Sequence, residues 1–145
     1  MVNKKYLVFL LLAAFLCLGM GTMGDGGVEI PKTSRNYSAT LVDRSGLSID
    51  LDHFSFEGKT FFYGKLGMAE ASVDFDKIKS IKFNRGDTGK VLATIDLADG
   101  KTVTLAIKKD MSCYGSSSVA DIKIDVADIA KIEMHGAPFK KRKGK

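Results

Sequence analysis

Asp50, Asp52 and His53 form the densest local set of acid and imidazole groups in the chain. Two carboxylates and a histidine are what a divalent metal or a general-base site uses. Side chains on an extended strand alternate between its two faces. Asp50 and Asp52 therefore share one side of a strand and His53 takes the other, unless a bulge intervenes. The pattern favours solvated strand residues, and no catalytic, cofactor-binding or metal-ligating residue is assigned. His135 stands alone at the end of the last expected strand. Nucleophilic catalysis needs a serine or cysteine with a histidine base and an orienting acid, and no spacing relates Cys113 to either histidine in that way. Gly115-Ser116-Ser117-Ser118 lacks the Lys-Ser/Thr and the following helix that let a phosphate loop work, so it reads as a hairpin loop. Asp74 with Asp76, and Asp125 with Asp128, flank two bends, where aspartate can cap turn backbone.

Two features point to partners rather than to reactions. The aromatic run Phe54, Phe56, Phe61, Phe62 and Tyr63 either fills the core or leaves one face exposed as an apolar binding patch. Phe54, Phe56, Phe61 and Tyr63 are the candidate partner-binding residues, for a protein or glycan of the cell envelope. The second feature is the tail, where Lys140, Lys141, Arg142, Lys143 and Lys145 follow Phe139. Contact with an anionic surface is worth about 1 kcal/mol per cation and is lost as salt rises. These five cations are the candidate polyanion-binding residues, with an anionic membrane surface as the candidate partner beside anionic glycans or extracellular DNA; the competing reading is a solubilising tail with no dedicated partner. No basic face interleaved with aromatics occurs in the body, so sequence-specific nucleic-acid binding is not expected.

The amino terminus supplies an address. Lys4 and Lys5 form a positive start, Leu7 to Leu18 follow without a charge, and Gly19 to Gly24 supply small residues suited to cleavage. A dozen apolar residues rise about 18 Å as a helix, short of the roughly 30 Å hydrocarbon core of a bilayer. Cleavage is expected after Gly21 or Gly24, leaving an exported chain that is periplasmic or secreted. Membrane tethering is the alternative, through an uncleaved anchor or lipidation of Cys17; bulky Leu16 beside Cys17 argues against the second. Removing a cleaved leader leaves Cys113 as the last cysteine, so no internal disulfide is available and the fold rests on core burial. The net charge of +5 is local as well. Without the two leader lysines and the five tail cations, 15 basic residues face 17 acidic ones.

The elements that must position these groups read as strands. Ala39-Thr40-Leu41 matches Ala93-Thr94-Ile95 at an offset of 54, and Gly46 falls on Gly100. At an offset of 51, Gly64 falls on Gly115, Val73-Asp74-Phe75 on Ile124-Asp125-Val126, and Ile81 on Ile132. Two blocks matching in the same order mark an internal repeat, 37–84 and 91–135. Each copy opens with a hairpin, turned at Ser45-Gly46 or Asp99-Gly100. Each closes with a strand, a short 3₁₀-type bend and another strand. A third hairpin is expected from Phe54 to Tyr63, around Glu57-Gly58-Lys59. The expected organisation is a signal peptide at 1–24, a flexible lead-in at 25–36, an all-β domain at 37–135 and a disordered basic tail at 136–145. The fold class is all-β: two pseudo-repeated antiparallel units packed as a sandwich or partly closed barrel behind a signal helix, with a tandem of two small barrels as the alternative. The expected function is an exported, non-enzymatic binding or structural module of the cell envelope. Its competitor is a small exported hydrolase or metal-dependent enzyme built on Asp50, Asp52 and His53, which requires those three to converge within about 4 Å of one point.

Overall fold

The computed structural model describes residues 27–136. The leader with Cys17, and the tail cations Lys140, Lys141, Arg142, Lys143 and Lys145, lie outside the described residues. Ten strands follow in order: β1 (Ser38–Asp43), β2 (Ser48–Phe56), β3 (Phe61–Leu66), β4 (Ala69–Asp74), β5 (Ile78–Arg85), β6 (Lys90–Leu97), β7 (Thr102–Lys108), β8 (Ser112–Ser116), β9 (Asp121–Asp125) and β10 (Ile129–Gly136). Two 3₁₀ turns, Phe75–Lys77 and Val126–Asp128, lead into β5 and β10.

All ten strands belong to one antiparallel sheet, ordered β4-β3-β7-β6-β5-β10-β1-β2-β8-β9 and curled into a half-barrel. Of the two expected packings, the partly closed barrel describes this sheet, while the sandwich and the tandem of two barrels are corrected. Among the described residues no α-helix covers the sheet, so its apolar face is buried by curling on itself. Period-two alternation supplies that face. Leu41, Ile81, Ile95, Leu105 and Ile132 are buried, while their neighbours Lys82, Thr104, Lys131 and Glu133 are exposed. Exchanging β1–β5 for β6–β10 turns the strand order into its own reverse, and Ile81 sits opposite Ile132 where β5 meets β10 at its centre.

The tight turns follow from turn chemistry. Asp43 Oδ1 accepts the backbone N–H groups of Ser45 at 2.8 Å and Leu47 at 3.0 Å, and Gly46 takes φ +92°. Asp99 Oδ1 accepts the Lys101 N–H at 2.9 Å, and Gly100 takes φ +91°. Glycine occupies this left-handed region without a Cβ penalty. The aspartates at the 3₁₀ bends behave otherwise than expected. Neither Asp74 nor Asp125 caps its turn with a side-chain bond. Asp76 instead takes the Tyr37 hydroxyl at 2.9 Å and Arg35 at 2.8 Å, tying the end of the lead-in to the bend.

The third hairpin is also corrected. The chain does reverse at Glu57-Gly58-Lys59, with Phe56 and Lys59 exchanging backbone bonds at 2.9 and 2.8 Å. Pairing stops there. β2 continues against β8, and β3 crosses to β7 and β4. The reversal hands the chain from one end of the sheet to the other instead of folding it back on itself.

Candidate functional site

A bulge re-aims the acidic cluster. Opposite β8 the register shifts between Asp52 and Ser55, and His53 adopts φ 51°. Histidine is among the non-glycine residues that tolerate this left-handed conformation. The Asn36 side chain accepts the His53 N–H at 2.7 Å, and the Tyr37 carbonyl accepts the Phe54 N–H at 2.9 Å, so the incoming chain fixes the bulge. His53 is therefore exposed like Asp50 and Asp52, where simple alternation would have turned it inward. Sharing a surface does not make the three a metal site. Among the described residues no group of three His, Cys, Asp or Glu side chains can hold a metal ion.

The two carboxylates are held by hydroxyls instead. Ser38 donates to Asp52 at 2.7 Å, and Thr40 donates to Asp50 at 2.6 Å. Thr40 Oγ1 also lies 2.7 Å from His135 Nε2, a partnership across 95 residues that sequence spacing does not reveal. A hydroxyl carries one proton. Asp50 takes it, so the imidazole is the donor to Thr40. A histidine base would need the opposite arrangement, accepting the hydroxyl proton. The chain Asp50–Thr40–His135 thus links β2, β1 and β10 without arming a nucleophile.

The aromatic run divides. Phe54 and Phe56 are wholly buried, as is Phe62 between them in space. This corrects their candidacy as partner-binding residues, because the bulge and the reversal after Phe56 turn both rings into the core. Phe61 and Tyr63 are half-buried, and their rings stand 5.8 Å apart. Tyr63 also meets the Phe56 ring edge-on at 5.1 Å, which anchors it.

Cys113 lies in β8 with no exposed surface. Burial, with the Glu57 carboxylate adding to it, pushes its thiol far above the ordinary cysteine range. Only the thiolate is nucleophilic, so Cys113 is inert in the folded chain and out of reach of a second molecule. Peptide mapping after maleimide treatment is expected to find Cys113 unmodified in the native protein and fully modified in urea. Rapid native labelling, or a disulfide dimer through Cys113 under non-reducing conditions, would contradict the packing of β8.

Two grooves remain at the ends of the sheet. One, of about 520 Å³, lies beside β3, β4 and β7 and is lined by Tyr63, Lys65, Ala71, Lys90, Ala106, Lys108 and Met111 among others. The other, wider and about 1120 Å³, lies beside β2 and the β8–β9 hairpin. Asp50, Asp52, His53 and His135 border it, together with Leu47, Ile49 and Val119. Each groove opens where a strand leaves its neighbour: β3 pairs with β7 only at Lys65–Ala106, and β2 pairs with β8 only from Asp52 onward. The hairpin ends of β3–β4 and β8–β9 expose large apolar side chains, Met68 at 99% beside Leu66 in the first and Val119 at 90% in the second. The first groove was not anticipated, because its lysines come from three strands distant in sequence.

These features define an all-β half-barrel with a groove at each end of a single sheet. Residues 33–137 match the model of a family described as "Uncharacterised protein", and the chain belongs to that family. No curated protein and no solved structure matches it.

Proposed function

We propose that the chain is an exported, non-enzymatic binding module of the cell envelope, built from two related halves. One observation carries the binding part. The groove of about 520 Å³ has the size of a small-ligand site, the other is wider at about 1120 Å³, and both lie where the ladder opens. Export rests on Lys4, Lys5 and the uncharged run from Leu7 to Leu18. The tail cations Lys140, Lys141, Arg142, Lys143 and Lys145 add attraction to an anionic membrane surface, screened by salt.

The related halves are supported by matching bonds. Asp43 N–H to Leu47 and Leu97 N–H to Lys101 close the equivalent first turns, at 3.0 and 2.8 Å. Arg44 N–H reaches the Asp128 carbonyl and Ala98 N–H reaches that of Lys77, both at 2.9 Å. Phe75 N–H to Thr60 and Val126 N–H to Met111 match at the 3₁₀ turns. With the reversible strand order, these pairs favour a duplicated unit whose copies exchange their second hairpins. β3–β4 docks on the second half and β8–β9 on the first. Half a sheet of this kind, of about 50 residues, buries too little surface to stand alone, and the exchange gives both halves one core.

The test is the intact mass of the protein recovered from its native host, in soluble and membrane fractions. A soluble species beginning at Thr22 or Asp25 is expected. A membrane species that keeps Met1, or begins at Cys17 with added acyl mass, would replace the free exported module with a tethered one.

A further inference from the structure

We propose that the groove beside β3, β4 and β7 binds a long-chain aliphatic carboxylate, its head held by Lys65, Lys90 and Lys108 and its chain laid along Tyr63, Ala71 and Met111. The inference rests on the reading of the chain as a binding module and names the ligand class for one of its grooves.

The charge arrangement asks for an anion. Lys90 and Lys108 are direct cross-strand partners of the β6–β7 ladder. Residues so paired hold their Cβ atoms about 5 Å apart on one face, and like charges there are destabilising. Among the described residues no carboxylate lies within 4.0 Å of either ammonium group; the two ion pairs present are Arg35–Asp76 and Lys65–Glu70. Lys65 enters from β3, opposite Ala106 of β7. Its only acid, Glu70, stands 3.4 Å away and is itself 86% exposed, a kind of pair that contributes little. Three cations and one solvated acid therefore border the groove, leaving it net positive. An anion placed between Lys90 and Lys108 removes their mutual repulsion and gains charge-assisted hydrogen bonds.

Apart from Ser72, the rest of the lining is apolar. Ala71, Ala106 and Met111 present methyl and thioether surface over the buried Ile107, and Gly64 presents none. Small residues leave a slot into which a polymethylene chain can settle, and the unbranched methionine adapts to its shape. The Tyr63 ring, held edge-on against buried Phe56, forms a rigid wall. The groove at the other end of the sheet has the same place in the strand order and the opposite chemistry: Asp50 and Asp52 border it, and two carboxylates repel an anionic head. The molecule thus carries its own control.

The experiment titrates the full chain with octanoate, decanoate and dodecanoate below their micellar concentrations, using calorimetry and methyl-labelled NMR. Saturable one-to-one binding is expected, strengthening by up to about fourfold per added methylene, the equivalent of about 0.8 kcal/mol. Shifts should centre on Met111, Ala71 and Ala106, with Leu47 and Val119 unmoved. Decanol, with the same chain and no charge, should bind at least tenfold more weakly. So should the double variant K90E/K108E, whose unfolding midpoint checks that it is folded, while K79E, at an exposed position of β5, should bind as the parent does. Decanol binding as tightly as decanoate, or undiminished binding by K90E/K108E, would refute the assignment, as would the absence of saturable binding. Shifts at Leu47 and Val119 alone would refute it too, while leaving the module reading intact. Export is read separately from the processed mass, so failure here and failure there are told apart.

Discussion

Truncating Phe62 to alanine is expected to cost about 3–5 kcal/mol, the range for emptying an aromatic site in a packed core. Phe62 is the hub of the core. Its ring centre lies 4.7 Å from that of Phe56, 5.3 Å from Phe75, 6.3 Å from Phe83 and 6.4 Å from Phe54. Those rings come from β2, β5 and the first 3₁₀ turn, so the cavity left by F62A is shared between elements that cannot collapse independently. A domain of this size has a total stability of about 5–15 kcal/mol. The variant is therefore expected to be marginal, with an unfolding midpoint lowered by at least about 10 °C. The control is its neighbour. Phe61 points to the other face and is half-buried, so F61A should cost about 1 kcal/mol. A one-residue slip of register exchanges the two faces of a strand. Equal costs for F61A and F62A, or a larger cost for F61A in urea unfolding, would show that β3 runs in the other register.

That contrast also shows what the sequence made legible. Alternation along 91–97 and 103–107, with Asp99-Gly100 between them, is enough to draw the β6–β7 hairpin, and Ser45-Gly46 does the same for β1–β2. Both hairpins are local, and their turn residues carry the geometry. Phe61, Phe62 and Tyr63 alternate just as clearly, yet alternation cannot say which face of β3 is buried when the hairpin it forms with β4 docks on β7, a strand distant in sequence. The reversal at Glu57-Gly58-Lys59 misled for the same reason. A tight turn specifies where the chain reverses, while the pairing that follows depends on β8, which takes β2, and on β7, which takes β3. The bulge at His53 depends on Asn36 and Tyr37 arriving from the lead-in, a tertiary cause with no local signature. The candidate site was the least legible part. Lys65, Lys90 and Lys108 read singly as solvated strand residues, and only the ladder from β3 to β7 to β6 gathers them.

Gly64 marks the joint on which that gathering depends, and alanine there is expected to destabilise the protein by about 3 kcal/mol. A Cβ built on Gly64 meets the Ala106 carbonyl oxygen at 2.6 Å, the Ala106 carbonyl carbon at 3.2 Å and Ile107 Cγ1 at 3.2 Å. The first two are backbone atoms of β7, which is locked to β6 along seven residue pairs, so the strand that must yield is β3. Over-packing of this kind costs about 1–3 kcal/mol, and more where no flexible side chain can move aside. The gain of about 0.4–1 kcal/mol from stiffening the unfolded chain does not offset it. Gly115, the residue in the matching place on β8, meets Leu51 Cβ at 2.8 Å and otherwise only the outer atoms of that side chain. Rotation moves Leu51 Cγ and Cδ1 but leaves its Cβ in place, so β8 must shift against β2, and G115A should also be costly, at about 1–3 kcal/mol, with a contact slightly longer than the one at Gly64. The effect of G64A extends to hydrogen exchange. β3 joins the sheet through β7, and β4 joins only through β3, so G64A should release the amides of β3 and β4 while those of β5, β6 and β10 stay protected. Loss of protection across the whole sheet would make the glycine a global core position. A cost below about 0.5 kcal/mol in G64A would mean that β3 does not press on β7 at all, and the groove beside it would lose its wall.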